Sequence, residues 1–340
     1  MVPLYGKTLD ELKAIVIAEG LQPFTANQIA DWLYHHHAES IDEMTNLSKK
    51  AREMLSAKYT VGLTKPERVS ESVDGTKKYL FPVANNRYVE AAYIPETDRA
   101  TLCVSSQSGC KMGCLFCMTA KQGFQGNLTA GEILNQLRSL PEFSNVTNIV
   151  YMGMGEPLDN LDNVLKSLEI LTSKWGMGWS TKRITVSTIG LIPAMKQFLE
   201  KSNCHLAISL HTPFDDERRM LMPIQNVYPI SEVVAELKNY RFTDHRRVSF
   251  EYIMFDGMND TPRHVKELVK LLNGLTCRIN LIRFHPIPDS PLRTSPDERI
   301  IQFRDSLTAK GIFTTIRASR GQDIQAACGL LSTKALQEKR

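Results

Sequence analysis

Four of the seven cysteines in this sequence fall within fifteen residues, at Cys103, Cys110, Cys114 and Cys117. The run Cys110-Lys-Met-Gly-Cys114-Leu-Phe-Cys117 has the spacing C-x3-C-x2-C. Three thiolates on one tight loop can hold three irons of a cubane iron–sulfur cluster. The fourth iron is then left without a protein ligand, and an open metal position is where substrate chemistry occurs. Gly109 and Gly113 give the loop the backbone freedom to wrap such a group. A structural zinc site with Cys103 as fourth ligand is the alternative. Closed zinc sites usually show two C-x2-C pairs or add histidines, however, and here there is one C-x2-C and no nearby His. In an intracellular chain such clustering points to metal or redox chemistry rather than to a disulfide framework.

The elements that must hold this loop can be read from hydrophobic periodicity. Up to about residue 65 the pattern is helical, with Leu9, Leu12, Ile15 and Val16 on one stripe and Ile29, Trp32 and Leu33 on another. Thr25, after Pro23-Phe24, is the expected N-cap of the second helix. Segments Lys77–Val83 and Tyr88–Ile94 are short and β-rich, and Asn85-Asn86 between them signals a hairpin turn. From about residue 100, strand-like runs at Thr101–Ser105, Asn148–Met152, Ile184–Ser187, His205–Leu210, Val248–Phe255, Ile279–Phe284 and Phe313–Arg317 alternate with amphipathic helices. The clearest helix carries Leu161, Val164, Leu165, Leu168 and Leu171 on one face; another carries Val265, Leu268, Val269 and Leu272. This rhythm predicts an α/β fold built of βαβ units on a parallel sheet, closed into a full or partial (β/α) barrel with its chemistry at the C-terminal strand ends. The expected division is a small N-terminal helical domain over 1–65, a short β-hairpin region over 66–95, the partial barrel over 96–318, and a C-terminal segment over 319–340 that ends in a polar helix after Cys328.

Composition sets the outer limits. Hydrophobic residues at 42% and charged residues at 23% are those of a globular protein, not a disordered or fibrous one. No apolar run reaches the ~18 residues of a membrane span, and the start has no signal-peptide pattern. A soluble, cytoplasmic protein with no membrane partner is expected. A net charge of +4 and a pI near 8.6 permit nucleic-acid binding without arguing for it. The basic patches Lys49-Lys50 with Arg52, and Arg246-Arg247, read individually as solvated faces. Consecutive His35-His36-His37 point in different directions on a helix and do not share one ion. Cys204 and Cys277, at or beside strands, read as buried, inert thiols.

With the aromatic residue at Phe116, the cysteine motif after the first barrel strand resembles that of the radical-SAM superfamily. Members bind S-adenosylmethionine at the open iron and cleave it to a 5′-deoxyadenosyl radical. Cys103-Val-Ser-Ser-Gln-Ser-Gly-Cys110, Thr119-Ala-Lys-Gln-Gly-Phe-Gln-Gly-Asn-Leu128, Gly153-Met-Gly-Glu-Pro157 and Arg320-Gly-Gln-Asp-Ile-Gln-Ala-Ala-Cys-Gly329 narrow the resemblance to the RlmN/Cfr family of adenosine methyltransferases. It runs through almost the whole chain. Glu156-Pro157, where the Cfr branch carries Glu-Ala, is similar to the RlmN branch. That branch implies methylation at carbon 2 of adenine in 23S ribosomal RNA and in tRNA; the alternatives are carbon 8, as in the Cfr branch, and a radical-SAM reaction on a non-RNA substrate.

The resemblance also implies roles. Cys110, Cys114 and Cys117 hold a 4Fe-4S cluster, and two S-adenosylmethionine molecules are used per turnover. Cys328 accepts a methyl group from the first and, as a methylene radical, adds it to the base. Cys103 attacks the sulfur of Cys328 to release product through a transient disulfide. Glu90 takes the proton from carbon 2. Gly155, Glu156, Ser187, Ser209, Leu210, His211 and His285 contact the cofactor. His285 departs from many relatives, which carry Asn there, although both side chains can donate and accept at an adenine edge. An electron donor such as flavodoxin and a thiol reductant are implied as partners, and the N-terminal domain as an RNA-docking element.

Overall fold

The computed structural model describes residues 1–288, 290–321 and 323–324. Cys328 and the polar helix expected after it lie outside the described residues. The N-terminal region is helical because its ends are well capped. Thr8 accepts from the Glu11 N–H while Glu11 reaches back, starting α1 (Leu9–Ala18). Ser48 caps α3 (Lys49–Ser56) by accepting from the Ala51 N–H, without a reciprocal bond. The N-cap of α2 (Thr25–Tyr34) is Phe24 rather than Thr25. Its backbone is already helical, and Thr25 N–H donates to the Gln22 carbonyl at 2.9 Å, so the turn at Pro23 begins the helix one residue early. A two-residue strand, β1 (Val2–Pro3), pairs in parallel with β2 (Tyr59–Thr60) and closes this region. Strands that short carry no periodicity to read.

Next come β3 (Arg68–Glu71), β4 (Lys77–Val83), β5 (Arg87–Pro95) and β6 (Ala100–Cys103), paired antiparallel in succession. Asn85 and Asn86 both have positive φ, 61° and 55°, as a type I′ hairpin turn requires. Two short strands, β7 (Gln107–Ser108) and β8 (Gly126–Asn127), then pair and clip off the cysteine loop with helix α4 (Met118–Lys121) between them.

The barrel strands follow: β9 (Asn148–Tyr151), β10 (Ile184–Thr188), β11 (His205–Ser209), β12 (Val248–Met254), β13 (Arg278–Arg283) and β14 (Phe313–Ile316). They lie parallel to one another and to β6, in the sheet order β14-β13-β12-β11-β10-β9-β6-β5-β4-β3. The intervening helices are α5 (Ala130–Arg138), α6 (Leu161–Thr172), α7 (Ile192–Lys201), α8 (Asp215–Leu221), α9 (Ile230–Leu237), α10 (Pro262–Leu272) and α11 (Asp297–Ala309). Residues of β5 and of β14, far apart in the sheet order, line one cavity of about 760 Å³, so the sheet curls into an open barrel.

Alternation along the strands separates two environments. Leu102, Ile149, Val186, Ile208, Phe250, Ile279 and Leu281 face the helices and join Val164, Leu168, Leu171, Val265 and Leu268 in the main core. Their neighbours Thr101, Cys103, Asn148, Thr185, Ser249, Glu251 and Asn280 line the cavity. Parallel sheets are ordinarily apolar on both faces, so a polar inner face marks the interior as a place for a polar ligand. Among the described residues no helix is long and apolar enough to cross a membrane. Arg246 is half-buried, with Nη2 donating to the Leu199 carbonyl at 2.6 Å, and is not the solvated residue its sequence context predicts.

Candidate active site

The cysteine loop sits at the C-terminal ends of the barrel strands, on a second apolar cluster made of Ile189, Leu221, Met222, Phe255, Phe284 and Ile287. Met112, Cys114, Phe116 and Met118 pack against it. The Phe116 ring meets His211 edge-on, with centroids 4.8 Å apart, and lies 5.9 Å from Phe255. The aromatic residue of the motif therefore ties the loop to the ends of β11 and β12. Gly109, at φ +70°, has no room for a side chain: a Cβ would fall 1.8 Å from the Gly123 carbonyl oxygen.

Burial pushes the Cys110 thiol up to about 12. The Cys114 thiol is raised by burial and then by the proximity of Cys117 and Cys110. Neighbouring thiols such as Cys110 and Cys114, which resist ionising by themselves, suit a metal group that takes the thiolates and supplies the compensating positive charge. Among the described residues no three His, Cys, Asp or Glu side chains close round a single ion. Cys103 stands instead on the cavity face of β6, and the four-thiol zinc alternative is not assembled.

Beside the loop, Glu156 is buried after β9. Its Oε1 accepts from Leu158 N–H and its Oε2 from Ile189 N–H, each at 3.0 Å. Burial still raises its carboxyl from 4.5 to about 7, so a cation brought against it would restore the charged form. Gly155, at φ +93°, is needed for a reason additional to ligand approach. A Cβ there would sit 2.4 Å from Cβ of Gln107. Gln107 accepts from Glu156 N–H at 2.9 Å and donates to Asn127 and Asp159 at 2.8 Å each, fixing the glutamate's backbone.

His211 follows β11 with φ +60°, a left-handed conformation that costs a β-carbon residue roughly 1–2 kcal/mol. Asn259 holds it there by donating to the His211 carbonyl at 2.6 Å, while the ring Nδ1 accepts from Ile253 N–H at 3.1 Å. Burial lowers the imidazole to about 3, so the ring is neutral with its proton on Nε2. Ser187 and Ser209 are half-buried at the ends of β10 and β11. Ser187 shares a face with Thr185, and Ser209 is in register with Glu251, both of which line the cavity. Leu210 is fully buried; its N–H donates to Glu251 and its carbonyl accepts from Thr212 N–H, leaving only packing to offer a ligand. His285 lines the cavity with a shielded Nε2 that has no hydrogen-bond partner among the described residues. Such an orphaned polar atom fits a site shaped for a heteroaromatic ligand.

Glu90 and Cys103 come together through sheet register. Ala92 of β5 is paired with Cys103 of β6, and Glu90 lies two residues along the same face. The Glu90 carboxylate is 2.7 Å from Lys78 Nζ, both side chains 3% exposed. Ser105 Oγ donates to the Glu90 carbonyl at 2.6 Å and accepts from Met154 N–H at 2.8 Å, joining β5 to the glycine-rich turn. Lys78, Ser105, Gln107 and Asn259 were not singled out from sequence. Ser105 and Gln107 lie inside a quoted motif, but nothing in the spacing reveals whom they bond.

Residues 104–272 match the Radical SAM superfamily, and residues 2–61 match the ribosomal RNA large subunit methyltransferase N-terminal domain. The chain is 58% identical over 336 residues to a probable dual-specificity RNA methyltransferase RlmN of Bacteroides fragilis, covering 99% of this chain and 98% of that one. This chain belongs to the RlmN family. A dual-specificity RNA methyltransferase RlmN of Syntrophus aciditrophicus is 44% identical over 336 residues, covering 98% of this chain and 97% of that one. The fold superposes with a TM-score of 0.90 on the crystal structure of a radical SAM methyltransferase from Sphaerobacter thermophilus, at 40% identity over 97% of this chain and 98% of that one. The chain is thus an RlmN-type radical-SAM RNA methyltransferase, of a superfamily that works with a 4Fe-4S cluster and S-adenosylmethionine. Cys110, Cys114 and Cys117, on one loop inside the matched region, are the thiols that could hold such a cluster.

Proposed function

We propose that this chain methylates carbon 2 of an adenine in 23S ribosomal RNA and in tRNA, through a methylated Cys328 and a transient Cys103–Cys328 disulfide. Carbon 2 lies between two ring nitrogens and is too electron-poor to attack an electrophilic methyl group. When bound, the cluster and S-adenosylmethionine supply a carbon radical, the step no side chain can perform. The protein's own residues divide the remaining work. Glu156 and His285 bind and orient the cofactor, with Ser187, Ser209, Leu210 and His211 along the strand ends. Cys328 accepts the methyl group as thiolate and carries it to the base. Glu90 removes the carbon-2 proton. Once the adduct's odd electron has passed back to the redox partner chain, the Cys103 thiolate attacks the sulfur of Cys328. The disulfide forms as the carbon–sulfur bond breaks, and the released methylene carbon keeps that bond pair and takes up a proton to become the methyl group. Two cofactor molecules are used per turnover. A one-electron donor such as flavodoxin primes the cluster, and a thiol reductant reopens the disulfide.

The observation that carries this reading is the register that sets Glu90 on β5 two residues from Ala92, the partner of the cavity-lining Cys103 on β6, with the Glu90 backbone tied through Ser105 to the glycine-rich turn. A proton acceptor and a resolving thiol must reach the same adduct, and unrelated strand residues have no reason to meet there. The test is anaerobic turnover of reconstituted protein with unmodified ribosomal RNA and tRNA, with digested nucleosides read by mass spectrometry. 2-Methyladenosine is expected from both RNAs; 8-methyladenosine would move the chemistry to the other ring carbon. Cys103→Ser is expected to accumulate a covalent protein–RNA adduct, and clean turnover by that variant would remove Cys103 from the mechanism.

A further inference from the structure

Arg218 is the largest fully buried side chain among the described residues, with no exposed surface. Its four hydrogen bonds all go to neutral acceptors. Nε donates to the Leu210 carbonyl at 3.3 Å, Nη1 to Gln225 Oε1 at 2.7 Å, and Nη2 to the Ile189 and Ser209 carbonyls at 3.0 and 3.1 Å. Among the described residues no carboxylate forms an ion pair with it. The exposed Asp215 acts on it from across the intervening Gln225, whose Nε2 donates to Asp215 at 2.6 Å, and is a solvated charge rather than a buried counter-ion. A charge taken out of water without a counter-ion is strongly disfavoured, and buried charges are ordinarily paired or set beside a metal group. Burial lowers the guanidinium only to about 10, so it stays charged at neutral pH.

The missing countercharge has an evident place. Arg218 lies on α8, whose last residue, Leu221, accepts from Leu115 N–H at 2.9 Å, next to Cys114 in the cysteine loop. Cys114 packs with Leu221 and Met222 in one apolar cluster. We propose that Arg218 is the fixed countercharge of the iron–sulfur cluster, stabilising its reduced and more anionic state. The inference rests on the cluster being held by Cys110, Cys114 and Cys117. In the step concerned, one electron passes from an external one-electron donor to the cluster. No bond to the protein forms or breaks, and Arg218 keeps its proton. The low-dielectric apolar pad around the loop lets a single charge act strongly.

The experiment is a potentiometric titration of the reconstituted holoprotein with dithionite and mediator dyes, reading the reduced cluster by electron paramagnetic resonance. Iron content and circular dichroism are measured on each sample. Arg218→Gln is expected to lower the reduced-to-oxidised ratio at fixed potential at least tenfold, equivalent to 59 mV for a one-electron couple. Arg218→Lys, which keeps the charge and loses part of the fork, is expected to stay within threefold of the parent. Equal displacement in both variants, or none in either, would overturn the inference by assigning Arg218 to geometry alone. Should Arg218→Gln fail to hold iron, Gln225→Glu combined with Asp215→Asn answers the same question. It sets a carboxylate on Arg218, which still donates to residue 225 while the bond between residues 215 and 225 reverses, and must also lower the ratio; an unchanged ratio refutes the role. Parent protein that binds no iron would overturn the cluster assignment itself, whereas iron with a charge-insensitive potential overturns only the part given to Arg218.

Discussion

The buried pair Lys78–Glu90 can be tested as a unit. The two charges lie diagonally across β4 and β5, 2.7 Å apart and 3% exposed. Removing one partner strands the other charge in the interior, at about 3–5 kcal/mol. Removing both for apolar residues of similar volume is about neutral, because neither charge then has to be desolvated. Glu90→Gln and Lys78→Met are therefore each expected to destabilise by about 3–5 kcal/mol. The double variant Lys78→Met with Glu90→Leu is expected to recover most of that loss. Its methyl transfer to RNA should remain absent, since the proposed proton acceptor is gone. Urea midpoints followed by tryptophan fluorescence measure the first quantity, and mass spectrometry of the RNA the second. Single variants that lose less than about 1 kcal/mol and simply add in the double would refute the reasoning, because a buried electrostatic unit cannot behave so.

Three further outcomes are expected. Glu156 is raised from 4.5 to about 7 by burial, so its contribution to stability is fully present below 4.5 and is lost as pH rises through 7. Relative to Glu156→Gln, the parent should lose about 3 kcal/mol between pH 4.5 and pH 8, and a difference in urea midpoints that does not change with pH would exclude a raised carboxyl. Gly155→Ala drives a Cβ into Gln107 at positive φ. It should cost about 2 kcal/mol and weaken S-adenosylmethionine binding at least tenfold by calorimetry; parental affinity would show that the turn yields. Finally, Asp323 accepts from Ser72 Oγ at 2.5 Å and from Val73 N–H at 3.1 Å, anchoring the chain five residues before Cys328 to the β3–β4 turn. Asp323→Asn should slow S-methylation of Cys328 several-fold, seen by peptide mass spectrometry over time, with cofactor affinity unchanged; an unaltered rate would separate this contact from Cys328.

Much of the architecture was legible because burial writes itself into periodicity. The seven barrel strands begin and end within a residue or two of their apolar runs, and the stripe from Val164 to Leu171 faces the core as its spacing requires. The cysteine loop stood out for another reason: C-x3-C-x2-C spacing keeps three thiols close in space through the chain itself. Legibility ended where contacts are long-range. Thr25 looked like a cap, but whether a residue caps depends on the backbone before it. Arg218, in Asp-Asp-Glu-Arg-Arg-Met, is indistinguishable from its exposed neighbour Arg219 in sequence.

What the sequence determined alone was the order of strands and helices and the family motifs, the cysteine motif among them, all of which are local patterns. Tertiary structure alone decided that Glu90 pairs with Lys78, that Gln107 fixes Glu156, that Phe116 meets His211, and that Arg218 is sealed beside the cysteine loop. These depend on strand register and on the curl of the sheet. A one-residue change of register turns every side chain to the other face, and no local pattern records which residues of distant strands then share an interior.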